Sequence, residues 1–294
     1  MLLLAGLLSA AAQTAPADLY ARVVRSARER AESELLAKAS FEVDHSRWED
    51  PWVIKSPRFE VRTTLTYAQG AKIAKSLEFI LGEFERIVGA LPPRDEPYRI
   101  WIFPNLGAYN QFGNEFGAEH SSLLGSFFSS QSPDQPVATY QTSNPTLLGM
   151  WITHGAVHQW LETSFASQPP VWVSEGLASY FALYWDWAYG ARELDRLEAS
   201  PGWVSLERLM RDPLAAYLER PEDRFVELGM LFHFLLDACE ATRNAPDGTP
   251  GTFQEFLRLA VRGQDTSQTD FVLSLEGALD LLEEEFKGHD FAGD

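Results

Sequence analysis

The chain has 294 residues, and 45% of them are hydrophobic, enough for one large globular domain or a domain with an extension. Its formal net charge is -18. Phosphate backbones and anionic membrane surfaces both require Lys/Arg-rich faces, so the charge argues against nucleic-acid and membrane-surface partners. The acidity favours solubility and attracts cations in general, which is too diffuse to locate a site.

The first stretch, "MLLLAGLLSAAAQTAPA", has an apolar run from Leu2 to Leu8 followed by small residues. Ala10 and Ala12, or Ala15 and Ala17, fit a small-x-small cleavage pattern, so 1–17 is expected to be a signal peptide and the protein to be exported. No Lys or Arg precedes the run, which leaves an apolar helix start as the alternative. No later segment approaches the ~18 uninterrupted apolar residues of a membrane span. The single cysteine, Cys239, can form no internal disulfide and sits in an apolar stripe, as a buried small hydrophobe does.

Residues 18–57 are expected to be an N-terminal helical extension, since 18–39 is rich in Ala, Glu and Arg and lacks Gly and Pro. "RFEVRTTL" alternates Phe59, Val61 and Thr63 as a strand does. Next, Ile73, Leu77, Ile80, Leu81, Phe84 and Ile87 follow helical spacing, and Pro92 and Pro93 stop that helix. "YRIWIF" is a second strand, while "LLGSFFS" and "PVATYQT" are two more, separated by the turn-rich "SQSPDQ". From Thr146 the helical period dominates, with helices expected at 146–164, 171–186, 189–199, 224–242, 252–262 and 268–286. The stretch 244–251 is expected to be a loop between helices or a subdomain joint, and 263–294 a C-terminal helix and tail. The fold class is therefore α+β: a small mixed sheet at about 58–142, then a helical half, with segregated elements instead of alternating βαβ units. There is no Gly-rich phosphate loop and no G-x-S-x-G elbow.

Chemistry concentrates in "WITHGAVHQWLETSFASQPPVWVSEGLASYF", Trp151 to Phe181. Residues at i and i+4 of a helix lie ~40° apart and one turn along the axis, so His154 and His158 can aim two imidazoles at one ion. After Pro169 and Pro170, Glu175 sits in a second apolar helical segment that could deliver a third ligand. Zinc accepts two imidazoles and a carboxylate, so Zn2+ is the expected cofactor. The alternative is a pair of packed histidines bonded to backbone. His45, His120, His233 and His289 lack such an arrangement and read as structural or surface residues.

These residues resemble the gluzincin zinc metallopeptidases of the peptidase MA-like group, secreted bacterial members included. That group has H-E-x-x-H on one helix and a glutamate ligand on the next, often within E-G-x-A-x-Y-F in secreted bacterial members; here the matches are His154, His158, Glu175, Gly176, Ala178, Tyr180 and Phe181, with Gln159 also fitting. The resemblance covers about 58–262 and implies a thermolysin-like core whose helix pair holds zinc. In the resembled enzymes the glutamate after the first histidine moves a proton from the attacking water to the leaving amine. This chain has Gly155 there, so the base position is vacated. Glu162 lies ~10 Å along the helix from that position, too far to replace it. Glu115 and Glu119 are read as loop residues that could approach. Aligning "FVELGMLFHFLL" puts Phe225 where the resembled families often place a tyrosine whose hydroxyl stabilises the oxyanion, leaving Tyr180 and Tyr217 as possible donors. Gly125, Ser126 and Phe127 are expected in an edge strand beside the metal, able to pair with an extended peptide. The leading expectation is an exported zinc-binding, metallopeptidase-like protein with weak or lost hydrolysis. The alternatives are an active zinc peptidase with a base from elsewhere, and a metal-free structural or peptide-binding module.

Overall fold

The computed structural model describes residues 45–115, 125–127, 135–200, 203–239, 242–243, 250–267, 269, 271–272 and 279–291. The expected signal peptide at 1–17 and the helix at 18–39 lie outside them. Among the described residues no helix is long and apolar enough to cross a membrane.

The architecture is α+β. Among the described residues five strands, β1 (Trp52–Lys55), β2 (Phe59–Thr63), β3 (Tyr98–Phe103), β4 (Ser126–Phe127) and β5 (Val137–Tyr140), form one mixed sheet in the order β1-β2-β3-β5-β4. β2, β3 and β5 are parallel, and the two outer strands run antiparallel to their neighbours. Helix α1 (Tyr67–Val88) links β2 to β3, and α2 (Leu106–Glu115) follows β3. The sheet half thus contains a parallel crossover of the βαβ kind, a correction to the expectation of purely segregated elements. Parallel neighbours need such a crossover, and α1 supplies it by burying Ile73, Leu77, Leu81 and Phe84. β1 also shows that the sheet begins before residue 58.

β3 explains the layering. Tyr98, Ile100 and Ile102 enter the main core, while Phe103 and Trp101 join a smaller cluster on the other face with Trp48, Tyr109, Phe112 and Ala138. A central parallel strand buried on both faces has no polar side, which is why "YRIWIF" carries one charge in six residues.

The helical half comprises α3 (Pro145–Ser164), α4 (Val171–Leu183), α5 (Trp187–Glu198), α6 (Leu206–Arg211), α7 (Leu214–Glu219), α8 (Pro221–His233), α9 (Thr252–Ala260) and α10 (Leu279–Lys287). α8 runs into one π-helical turn at Phe234–Ala238, and Cys239 is buried behind it, as expected. α9 fastens the two halves together. Gln254 Nε2 donates to the carbonyl of Arg86 at 2.6 Å, Arg258 Nε to that of Ile87 at 3.1 Å, and Arg262 Nη1 to that of Val88 at 2.7 Å. Three side chains at i, i+4 and i+8 thereby satisfy the open carbonyls at the end of α1, where cations also suit the helix dipole.

α3, α4 and α8 form the inner stack. α3 is capped by Asn144, whose side-chain oxygen accepts from Thr146 N at 3.0 Å and Leu147 N at 3.2 Å, with Pro145 in the first turn. Close approach of α4 and α8 depends on glycine. A Cβ on Gly176 would stand 2.1–2.6 Å from ring atoms of Phe232, and one on Gly229 would stand 3.1 Å from the Ser179 carbonyl carbon. Gly176→Ala is expected to destabilise the fold by about 1–3 kcal/mol through over-packing. Urea unfolding should show a lower midpoint at unchanged slope.

Candidate metal centre

α3 remains helical from its Asn144 cap to Ser164, straight through Gly155, so His154 and His158 keep their one-turn spacing. Their Nε2 atoms face each other at 3.2 Å, with the rings 4.8 Å apart and steeply inclined at 70°. The Pro169–Pro170 break turns the chain, and α4 brings Glu175 back against them. Glu175 Oε2 is 3.5 Å from His154 Nε2, and Oε1 is 3.5 Å from His158 Nε2. The cluster is half-enclosed: the His154 side chain is 8% exposed, those of Glu175 and His158 21% and 23%. The two partly exposed groups leave it open on one side. Among the described residues this is the group of His, Cys, Asp and Glu side chains that could hold a metal ion.

The electrostatics suit a cation. Burial pushes the Glu175 carboxyl up, but His158 and His154 together outweigh burial and hold it below the usual carboxylate range. Burial pulls the His154 imidazole down and prevails over Glu175. At His158 burial also opposes the charge, but Glu175, helped by Glu162, prevails and raises it. An ionised carboxylate thus faces one imidazole kept neutral and another that attracts a proton. A bound cation would take the proton's place. His154 Nδ1 is buried with no hydrogen-bond partner, so Nε2 is the nitrogen that this ring directs to the cluster.

The other expected site residues fall out as follows. Gly155 is buried in α3 and offers no side chain. The Phe225 ring, on α8, lies 5.8 Å from the His154 ring, so an apolar group does stand beside the cluster there. Tyr180 is turned elsewhere: its hydroxyl donates to Asp237 Oδ2 at 2.9 Å. Tyr217 donates to the Leu209 carbonyl. Its hydroxyl is pushed up by burial, then by Asp212 and Glu175, which places the phenol within the field of the cluster. Glu115 is the last residue of α2, not a loop residue as expected, and Glu119 lies outside the described residues. Ser126 and Phe127 form the edge strand β4, hydrogen-bonded on one side to β5. Gly125 precedes them at φ 73°, and its carbonyl accepts from Thr139 Oγ1 at 2.7 Å. His233 sits apart from the cluster, against Asp237 and stacked on Trp187, and the His45 ring lies 3.8 Å from that of Trp52, tilted by 48°.

Sequence reasoning missed one charged pair near the centre. Arg224 Nη1 donates to Glu227 Oε2, and both side chains are buried on α8. Burial pushes the Glu227 carboxyl up despite Arg224. Opposite charges three residues apart, within the buried stretch Arg224–Phe232, were the available signal. Removing one partner of such a pair would strand a buried charge.

No family model, curated protein or solved structure matches the chain.

Protons and a metal ion compete for the same imidazole lone pairs. Affinity for a divalent transition metal is therefore expected to rise with pH until both rings are neutral, and to fall as pH drops. His158 holds its proton to higher pH than an ordinary imidazole, so the fall should begin above ~6.5. Calorimetric titration between pH 8 and pH 5.5 checks this, and a pH-independent affinity would contradict the assignment of the imidazoles as ligands.

Proposed function

We propose that this chain is a zinc-binding, metallopeptidase-like protein that engages extended peptide segments and whose own peptide hydrolysis is weak or lost. The observation that carries the reading is the convergence of three side chains: His154 Nε2 and His158 Nε2 are 3.2 Å apart, and each is 3.5 Å from a different oxygen of Glu175. Two imidazoles and one carboxylate also form the donor set of catalytic zinc sites, which leave a fourth position open.

The chain's own residues would do the following. His154, His158 and Glu175 hold the ion, and the Glu175 charge neutralises part of it. When bound, zinc supplies Lewis acidity and lowers the pKa of a coordinated water toward ~7. Nothing at position 155 accepts or returns a proton. Phe225 excludes water from one side of His154 but offers no hydrogen bond to a developing oxyanion. Tyr180 and Tyr217 have their hydroxyl protons committed to Asp237 and Leu209. The edge strand β4 supplies backbone groups on its outer side for a peptide to pair with. Holding and polarising are thus supported and proton transfer is not. The export signal read at 1–17 completes the proposal, with action in the periplasm or outside the cell.

Two measurements test this. Purified protein should carry about one zinc per chain by mass spectrometry of the metal, and His154→Ala should lose it. With zinc bound, Gly155→Glu should hydrolyse a generic fluorogenic peptide mixture faster than wild type, by up to the ~10²–10⁴-fold that acid–base help is worth. Wild type as fast as Gly155→Glu would instead establish a base from elsewhere.

A further inference from the structure

Two helices far from the metal centre in sequence commit their inner faces to the fold. α1 turns Leu77, Leu81 and Phe84 to the core. α10 turns Leu282 and Phe286 inward, while its Glu283 accepts from Trp203 Nε1 at 3.1 Å and from Leu206 N at 2.9 Å. The outer faces of the same two helices carry the two most exposed large apolar side chains among the described residues, Phe79 at 61% and Leu281 at 62%. Lys72, Lys75, Phe79, Gly82 and Arg86 are exposed at alternating spacings of three and four, which aligns them in one stripe along α1. The charges in that stripe are all basic, in a chain of net charge -18, with Glu83 on its flank bonded to Arg86 Nε at 2.9 Å. On α10, Leu281 stands among exposed Asp280, Glu284 and Glu285. The one base of that helix, Lys287, bonds to Glu283 at 2.7 Å and lies over the Trp203 ring.

Gly82 adds a separate observation. Elsewhere in α1 a glycine has a packing reason: a Cβ on Gly70 would stand 2.5 Å from Ile54 Cδ1. A Cβ on Gly82 would meet nothing within 4 Å. Glycine in a helix interior costs about 1 kcal/mol relative to alanine, and no neighbour among the described residues calls for it here. Its missing side chain leaves a notch beside Phe79 on the exposed stripe. We infer that the outer face of α1 docks on the outer face of α10 of a second copy of this chain. The partner's Leu281 enters the notch at Gly82 and packs on Phe79, and the flanking bases of α1 face the acidic residues of α10. Charge decides the occupant: α1 against α1 of another copy would set bases against bases, and α10 against α10 acids against acids. A two-fold pair makes the α1–α10 contact twice and closes the assembly. Two helix crossings bury little surface, so the association is weak, and salt weakens it further.

Sedimentation analysis of the full-length protein over a range of concentration and salt tests this. Wild type is expected to self-associate as concentration rises and to dissociate as salt is added. Lys72→Glu and Glu284→Lys should each weaken self-association about tenfold or more, because like charges then meet across the contact. An equimolar mixture of the two variants should associate more tightly than either alone, since each reversed face finds its complement on the other chain. Gly82→Leu fills the notch without changing charge and should also abolish association. All three substitutions lie on exposed helix surface, and circular dichroism should show the fold unchanged. Wild type monomeric at every concentration overturns the inference. So does association that the single variants leave intact, and failure of the mixture to recover overturns the pairing of α1 with α10.

Discussion

The site depends on how closely α4 can lie against its neighbours. Glu175 reaches two imidazoles on α3 only because the helix carrying it is held in a stack in which Gly176 makes room for Phe232 on the far side. The residue after the ligand is therefore as constrained as the ligand itself. A methyl group at 176 would clash with the Phe232 ring, and a shift of ~1 Å in α4 would exceed the few tenths of an ångström that metal–ligand distances tolerate. Gly229 serves the same contact from the α8 side, against Ser179. The apolar surface buried in this stack, Trp160, Phe181 and Phe232 among others, contributes roughly 1.5–3 kcal/mol per large side chain. That stabilisation holds an ionised carboxylate in a half-enclosed place.

Gly155 fits the same reasoning from the other direction. Glycine in a helix interior costs about 1 kcal/mol relative to alanine. α3 tolerates this because it does not stand on intrinsic propensity: it is capped by Asn144 and buried on nearly every side. The helix thus keeps its ligand spacing whether or not residue 155 has a side chain. Metal holding and proton transfer would be separable in this architecture, since the first would use positions 154, 158 and 175 and the second position 155.

The sequence made the metal cluster legible because its geometry is almost wholly local. A four-residue spacing inside an apolar helix dictates where two imidazoles point, and a Pro-Pro break followed by another apolar helix dictates that the next segment returns. Phe225 also stands beside His154, where alignment with the resembled families put it. What stayed hidden depended on tertiary partners. β1 is four residues with one buried side chain, and pairing with β2 decides its conformation. α2, "LGAYNQFGNE", carries two glycines and two asparagines, poor helix formers, and is held by burying Tyr109 and Phe112 on the outer face of the sheet. The parallel crossover was missed because strand direction leaves no mark on short strands.

The tyrosines show the same limit in chemical form. Sequence could offer Tyr180 and Tyr217 as possible hydroxyl donors. It could not say that Asp237, fifty-seven residues away on the π-helical turn, takes the hydrogen bond of the first. Nor could it say that the Leu209 carbonyl takes that of the second. A buried hydroxyl is already committed to the acceptor that permits its burial, and releasing it for catalysis would leave that acceptor unsatisfied at a cost of about 1–3 kcal/mol. Nearness to a metal therefore does not make a tyrosine an oxyanion donor. The proton has to be free to point there, and in this fold both are used to hold helices together.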